Sequence, residues 1–132
     1  MKLSQAKKFY KKSQNDGLEN QNSFEIFKKI NYELVRALSI VSEKIEKKEI
    51  DEIRQKNFTK ALTIIYTLQT SLNFEKELKL CADLFKLYEY CRKKLIEGMT
   101  SLKSKEIFSS AVNLDKLFSF NYIQTNGYKN AI

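Results

Sequence analysis

The sequence predicts an all-α protein, an antiparallel up-and-down bundle of four helices with a short N-terminal arm helix. The 132 residues include no proline and only three glycines, so tight hairpins and phosphate-binding loops lack the residues from which they are built. Apolar residues recur at steps of three or four along four segments of the chain, which is the period of an amphipathic helix. The links between these segments are short, and a helix that follows a short link packs back alongside its predecessor.

The chain divides into an N-terminal arm and a bundle domain. Residues 1–22 begin with a basic stretch and continue with polar residues, so we expect an arm and a linker there, and the bundle over residues 23–132. Ser23 is the predicted N-cap of the first long helix, because its hydroxyl can accept a hydrogen bond from a backbone N–H of the first turn. The apolar stripe of this helix is expected to run from Ile26 to Ile45.

Three further helices are predicted after the first. A connection is expected at residues 48–51, and the second helix then has core positions over residues 58–72. The third helix is expected to run from about residue 77 and to stop at Gly98, which suits the left-handed position that follows a helix. The fourth begins near Ser104, whose hydroxyl can cap it. The tail that follows either extends this helix or folds back over the core.

The composition excludes most kinds of catalytic and metal site. There is no histidine, so neither a Ser-His-Asp triad nor a zinc site with histidine ligands can be built. Cys81 and Cys91 lie ten residues apart in one predicted helix, a separation of about 15 Å that is too long for a disulfide. We therefore expect no enzyme activity, no cofactor, no metal and no membrane insertion, and interpret both cysteines as reduced core residues of a cytoplasmic protein.

The net charge of +8, from 24 basic and 16 acidic side chains, permits binding to nucleic acid, anionic lipid or an acidic protein surface. Only three of the basic residues are arginine, the residue preferred for bidentate contacts to phosphates and bases. Lysine and glutamate are interleaved along the helices, and only the N-terminal arm is purely basic. A basic helical bundle that binds nucleic acid or an acidic protein surface is therefore the alternative function.

Two of the predicted helices have more apolar surface than one core requires. On the second helix Leu62 and Tyr66 lie outside the main stripe, and Ile64 widens the stripe on its other flank. Leu78 and Phe85 widen the stripe of the third helix in the same way. Since a stripe of roughly 100° is enough for a bundle, the pattern indicates a wide aromatic core, a hydrophobic groove for a partner helix, or a face for self-association.

A series of short motifs lies between Arg54 and Glu97. They are Lys60-Ala61 before Ile64-Ile65, then Leu68, the turn of Ser71, Leu72, Asn73 and Phe74, then Asp83-Leu84, Leu87-Tyr88 with Tyr90, and Leu95-Ile96-Glu97. Tyr32-Glu33 and the pair Ser23 and Glu25 add to the series on the first long helix. In these motifs the chain resembles the flagellar secretion chaperones of the FliS family, from Ser23 to Glu97.

The resemblance implies a non-enzymatic cytoplasmic chaperone that holds the C-terminal segment of flagellin unpolymerised and aids its delivery to the flagellar type III export apparatus. The implied partners are the C-terminal region of flagellin and the export gate, and we expect a monomer or a weak dimer. By the same resemblance, Phe9 and Tyr10 cover client-binding surface until the client displaces them; the alternative is an anchored arm.

The flagellin groove that we predict combines the surplus apolar residues with aromatic residues of the motifs and the arm. For the three tyrosines of the second and third helices, the alternative is a half-buried core position with a hydrated hydroxyl. The predicted groove residues are Phe9, Tyr10, Leu62, Ile64, Tyr66, Leu78, Phe85, Tyr88 and Tyr90.

Overall fold

The computed structural model describes residues 20–73, 75 and 78–117, with side chains from residue 25 onward. These residues form four helices, and no strand occurs among them. Each helix packs against two others, so that the four close into a ring in which the first also contacts the last. This arrangement confirms the predicted all-α bundle. The helices are α1 (Asn20–Glu46), α2 (Glu52–Thr70), α3 (Leu78–Ser101) and α4 (Lys105–Leu117).

The N-terminal end of α1 differs from the sequence prediction in two respects. Helix α1 begins at Asn20, so Ser23 lies inside the helix and its prediction as the N-cap is wrong. Ile26, the first residue of the predicted stripe, is 56% exposed. The physical reason is position, since the contact between α1 and the described C-terminal part of α4 is made at Asn31, more than one helical turn after Ile26. The arm predicted over residues 1–22 lies almost wholly outside the described residues, and the tail after residue 118 lies outside them altogether.

Hydrogen bonds between α1 and α4 give the relative direction of these two helices. Ser104 Oγ donates to Glu46 Oε2 at 2.7 Å, which places the start of α4 beside the end of α1. Asn31 Nδ2 donates to the carbonyl oxygen of Leu114 at 3.0 Å, which places the end of α4 beside the first half of α1. The two helices therefore run in opposite directions.

Ser104 occupies the position before α4 that the sequence predicts, but its hydroxyl has another function. The backbone carbonyl of Ser104 accepts the N–H of Phe108 at 3.0 Å, as the residue before a helix does. Its hydroxyl was expected to cap α4, whereas it donates to Glu46 and so ties α4 to α1.

The core is built from the inward-facing stripe of each helix. Apolar residues at steps of three or four in the sequence are the ones that the structure buries, which confirms the periodicity as a guide to the core. The fully buried side chains include a tyrosine and both cysteines as well as aliphatic residues. The apolar ones are Leu34, Val35, Ala37, Leu38 and Val41 on α1, Ala61, Ile65 and Leu68 on α2, Cys81, Leu84, Tyr88, Cys91 and Leu95 on α3, and Ile107, Ala111 and Leu114 on α4.

The connection between α1 and α2 lies where the sequence predicts it. Lys48 adopts a left-handed conformation with φ 59°, and the N–H of Glu49 donates to the carbonyl of Lys44 at 2.8 Å, which is the hydrogen bond of a Schellman helix end. Asp51 then caps α2, because its carboxylate accepts the backbone N–H of Arg54 at 2.9 Å. The Lys44 ammonium donates to the same carboxylate at 2.9 Å.

The end of α3 corrects the prediction for Gly98. The helix continues through Gly98 to Ser101, and the left-handed residue is Leu102, with φ 57°. The N–H of Lys103 donates to the carbonyl of Gly98 at 3.0 Å, so the end is again of the Schellman type. Gly98 instead allows α3 to approach α4 and the connection before it closely. A Cβ at this position would collide with the Ile107 side chain and lie 2.6 Å from the Lys103 carbonyl oxygen.

Replacing Gly98 with alanine should therefore destabilise the protein. Overpacking costs about 1–3 kcal/mol, and the better helix propensity of alanine offsets about 1 kcal/mol of it. Because one of the two clashes is with a backbone oxygen, we expect a cost near the upper end, and the free energy of unfolding in urea, followed by far-UV circular dichroism, should fall by about 2 kcal/mol. Thr100→Ala, at an exposed position of the same helix, is the control and should change it by less than about 0.5 kcal/mol. A Gly98→Ala protein as stable as the parent would contradict the close approach.

Candidate partner-binding site

Helices α2 and α3 run in opposite directions, and one flank of each faces the other helix. Cys81 Sγ contacts the carbonyl oxygen of Asn73 at 3.2 Å, and Gln69 Nε2 donates to the carbonyl oxygen of Phe85 at 3.3 Å. Residue numbers thus fall along one side of the interface as they rise along the other. The flank of α2 that contains Gln69 therefore faces the flank of α3 that contains Phe85.

Both of these flanks carry exposed apolar side chains. On α2, positions 62, 66 and 69 follow each other at steps of four and three, so they share one face. On α3, positions 78, 82, 85, 89, 92 and 96 do the same. Tyr66 and Leu78 are each 69% exposed, Phe85 is 39% exposed and Ile96 is 36% exposed. We call the apolar residues of the two flanks the α2–α3 stripe: Leu62, Tyr66, Leu78, Ala82, Phe85 and Ile96.

The α2–α3 stripe is a surface suited to another apolar surface. A single exposed apolar side chain is ordinary in a folded protein, whereas several on two adjacent flanks mark an interaction site. Burying a fully exposed large apolar side chain contributes about 1.5–3 kcal/mol, and completing the burial of a part-exposed one contributes a corresponding fraction. An amphipathic helix laid along the stripe would reach its apolar residues with side chains at helical spacing.

A polar cluster lies within the stripe, where the two helices meet. Glu89 Oε1 accepts Gln69 Nε2 from α2 at 3.2 Å and Arg92 Nε at 3.0 Å, and Glu89 Oε2 accepts Arg92 Nη2 at 2.5 Å. The hydrogen bonds from Arg92 and then from Gln69 lower the pKa of Glu89 to about 2. The ionised carboxylate therefore offsets the charge of Arg92 and links α3 to α2 within the apolar surface.

The titration of Glu89 tests this cluster. Because its pKa is lowered on folding, its contribution to stability is present above the ordinary value of 4.5 and is lost as the pH falls through about 2. We expect the side-chain carboxyl carbon of Glu89 to titrate near pH 2 in an NMR experiment, and nearer its ordinary value in an Arg92→Gln variant. Titration of Glu89 near pH 4.5 in the unmodified protein would show that the cluster does not form.

Ile64 and Tyr90 of the predicted groove lie outside the α2–α3 stripe. Ile64 is half-buried and shares a face with Lys60, whose ammonium donates to Glu33 Oε1 of α1 at 2.6 Å. That flank of α2 therefore faces α1. The Tyr90 hydroxyl donates to Glu106 Oε2 of α4 at 3.0 Å, which places its ring toward α4. In this conformation Ile64 lies toward α1 and Tyr90 lies toward α4, away from the surface that α2 and α3 share.

Tyr88 belongs to the core, and the arm residues lie outside the part of the chain that the structure describes. The Tyr88 side chain is 0% exposed, so it lies deeper than the half-buried position with a hydrated hydroxyl that the alternative describes, and its ring offers no surface to a partner in this conformation. Phe9 and Tyr10 precede the described residues. The structure thus places four of the predicted groove residues on the two facing flanks, namely Tyr66, Leu78 and Phe85, which are exposed, and Leu62, which is half-buried against the core.

The model of one protein family matches almost all of the chain, including all four helices. The match to the flagellar protein FliS covers residues 6–117. This chain belongs to the FliS family. No curated protein and no solved structure matches the chain. The FliS family consists of flagellar export chaperones.

Two other properties of this FliS chain bear on its chemistry. Within the described ranges, no helix combines the length and the apolar character that a membrane span needs. Both cysteines are buried thiols that form no disulfide, as the sequence predicts, and burial raises the pKa of the Cys91 thiol to about 12. The thiolate is the nucleophilic form of cysteine, and the raised pKa keeps the Cys91 thiol protonated near neutral pH. Cys91 is therefore unsuited to nucleophilic catalysis.

Ile96 and the polar cluster are parts of this FliS surface that were not predicted from the sequence. Ile96 follows Phe85 by eleven residues, or three helical turns, so its place on the flank could have been found by extending the spacing from Leu78 and Phe85. The pairing of Glu89 with Arg92 at a spacing of three could also have been predicted. The contact with Gln69 required the register of α2 against α3.

Proposed function

We propose that this FliS protein binds the C-terminal segment of flagellin on the α2–α3 stripe, keeps it unpolymerised in the cytosol and aids its delivery to the flagellar type III export apparatus. One observation carries the proposal: in a member of a flagellar chaperone family, two adjacent helices expose apolar side chains along the flanks that face each other. A client that covers these side chains removes them from water.

The physical chemistry of the stripe suits a client that is disordered before it binds. A disordered segment loses conformational entropy when it folds on a partner, and it recovers this loss by burying apolar surface. The bundle is already ordered, so most of the ordering cost falls on the client. Covering the apolar side of the client also hides the surface through which it would assemble with other copies.

The N-terminal arm has a proposed part in the same process. By the family likeness, Phe9 and Tyr10 cover part of the client-binding surface until the client displaces them. Such a cap would shield exposed apolar side chains in the free protein and so limit self-association.

Calorimetry with a flagellin peptide tests the proposed function. The full chain is titrated with the C-terminal segment of flagellin from the same organism, and we expect saturable binding near a ratio of one to one. The change in heat capacity should be negative, because apolar surface is buried. A peptide of the same composition in scrambled order is the control and should not saturate. Absence of saturable binding to the native peptide would refute the proposal.

A further inference from the structure

A row of lysines lies along the α3 edge of the stripe. Lys79, Lys86 and Lys93 are spaced seven residues apart, about 10.5 Å per step, so they lie on one face of the helix. Each directly follows a residue of the flank that faces α2. All three are exposed. We call them the lysine row.

Two members of the lysine row lack an ion pair among the described residues, and one of them, Lys93, is attracted by the Glu89 carboxylate without forming one. Lys79 Nζ lies 3.5 Å from Asp83 Oδ2, so its charge is partly offset. Lys86 and Lys93 form no ion pair with any residue that the structure describes. Five other lysines of the bundle are paired with carboxylates, namely Lys28, Lys44, Lys47, Lys60 and Lys94. Lys105 and Lys116 on α4 resemble Lys86 and Lys93, since they form no ion pair with a described residue.

The opposite edge of the stripe, on α2, is neutral over residues 59–70, before which Lys56 and Glu52 lie on the same face. Thr59, Thr63 and Thr70 share the face of Tyr66, since they lie seven residues before it, three before it and four after it. The hydroxyl of Thr63 donates to the Thr59 carbonyl at 3.0 Å, and that of Thr70 donates to the Tyr66 carbonyl at 2.9 Å. The stripe thus has a positive edge on α3 and a neutral edge on α2.

We infer that the client binds the α2–α3 stripe as an amphipathic helix with an acidic row on the side over α3. Aspartate or glutamate side chains seven residues apart on the client match the spacing of Lys86 and Lys93, whichever way the client runs. The inference rests on the proposed function and adds the charge pattern of the client. Exposed charges at the edge of an interface set orientation and speed of association, and salt screens them.

Charge reversal on α3 tests the lysine row. The double variant Lys86→Glu with Lys93→Glu is compared with Lys105→Glu with Lys116→Glu on α4, both at exposed positions. Each pair lowers the formal net charge from +8 by 4, to +4. In calorimetry with the flagellin C-terminal peptide, we expect the α3 variant to bind about tenfold more weakly and the α4 variant less than about twofold more weakly.

Two additional measurements complete the test. Lys86→Gln with Lys93→Gln removes the charges without reversing them and should have an intermediate effect. A peptide in which the acidic residues are replaced with lysine should bind the Lys86→Glu and Lys93→Glu protein more tightly than it binds the unmodified protein. Circular dichroism confirms that each variant is helical.

The outcomes separate the inference from the proposed function. If the peptide binds the unmodified protein and both double variants bind it equally well, the lysine row is not used and the proposed function stands. If the peptide does not bind the unmodified protein, both fail. A single-stranded oligonucleotide is titrated in parallel. Loss of oligonucleotide binding in the α3 variant, with peptide binding unchanged, would assign the row to nucleic acid and overturn the inference.

Discussion

Replacing Tyr88 with alanine should lower the free energy of unfolding by about 3–5 kcal/mol, as for other large aromatic side chains in cores. Tyr88 is 0% exposed and is the bulkiest of the fully buried side chains in the described part of the chain. Its truncation removes the contacts of the ring and leaves a cavity that the surrounding helices fill only in part. Urea unfolding followed by circular dichroism measures the change.

The controls for this variant separate core from surface. Tyr88→Phe keeps the ring and should lower the free energy of unfolding by only about 1 kcal/mol, since only the hydroxyl and its hydrogen bonding are removed. Tyr66→Ala removes the same side chain from a position that is 69% exposed and should change stability by less than about 0.5 kcal/mol. Equal effects of Tyr88→Ala and Tyr66→Ala would show that Tyr88 is not a core residue.

Placing a carboxylate in the α2–α3 stripe should weaken binding of the flagellin C-terminal peptide by roughly a hundredfold, which corresponds to about 3 kcal/mol. The change is made separately at Leu62 and at Phe85. Each variant loses the apolar contact with the client and forces an aspartate out of water when the client covers it. Calorimetry with the peptide measures the loss.

An apolar residue away from the stripe provides the control. Ile50 lies in the connection between α1 and α2 and is 79% exposed, so Ile50→Asp adds the same charge at an exposed apolar position. We expect it to leave peptide affinity within about twofold of the unmodified protein. If Leu62→Asp and Phe85→Asp bind as tightly as Ile50→Asp, the peptide does not use the stripe.

The four helices and their core were predictable because a helix that buries one face has apolar residues at steps of three or four in its sequence. Ile65 and Leu68 on α2, and Leu84 and Leu95 on α3, lie where the stripe predicts core residues, and each is at most 1% exposed. The sequence contains this information because a bundle helix buries one face along its whole length.

The helix ends were less predictable, since one residue type serves different purposes. A glycine near a helix end suits either a left-handed residue or a close approach between helices. In this chain Gly98 provides the close approach, and Leu102 adopts the left-handed conformation. The sequence around Gly98 does not distinguish these uses, because the distinction depends on the position of Ile107 on another helix.

The sequence was enough to predict which residues are surplus to the core, but not which helix lies beside each of them. Apolar residues outside the main stripe identified Leu62 and Phe85 as surplus, and they share the α2–α3 stripe. The same reasoning included Ile64, which lies toward α1. Periodicity gives the position of a residue around its own helix, but which helix lies beside each flank is decided by the order in which the four helices close their ring.

NMR mapping of the client on the protein tests the central claim most directly. The isotope-labelled full chain is titrated with the unlabelled flagellin C-terminal peptide, and amide signals are followed. We expect the signals of residues in the α2–α3 stripe, including Leu62, Phe85 and Ile96, to shift, and those of Arg36 on α1 and Lys116 on α4 to stay in place. Saturable binding that shifts the α1 and α4 signals and leaves the stripe unchanged would contradict the claim.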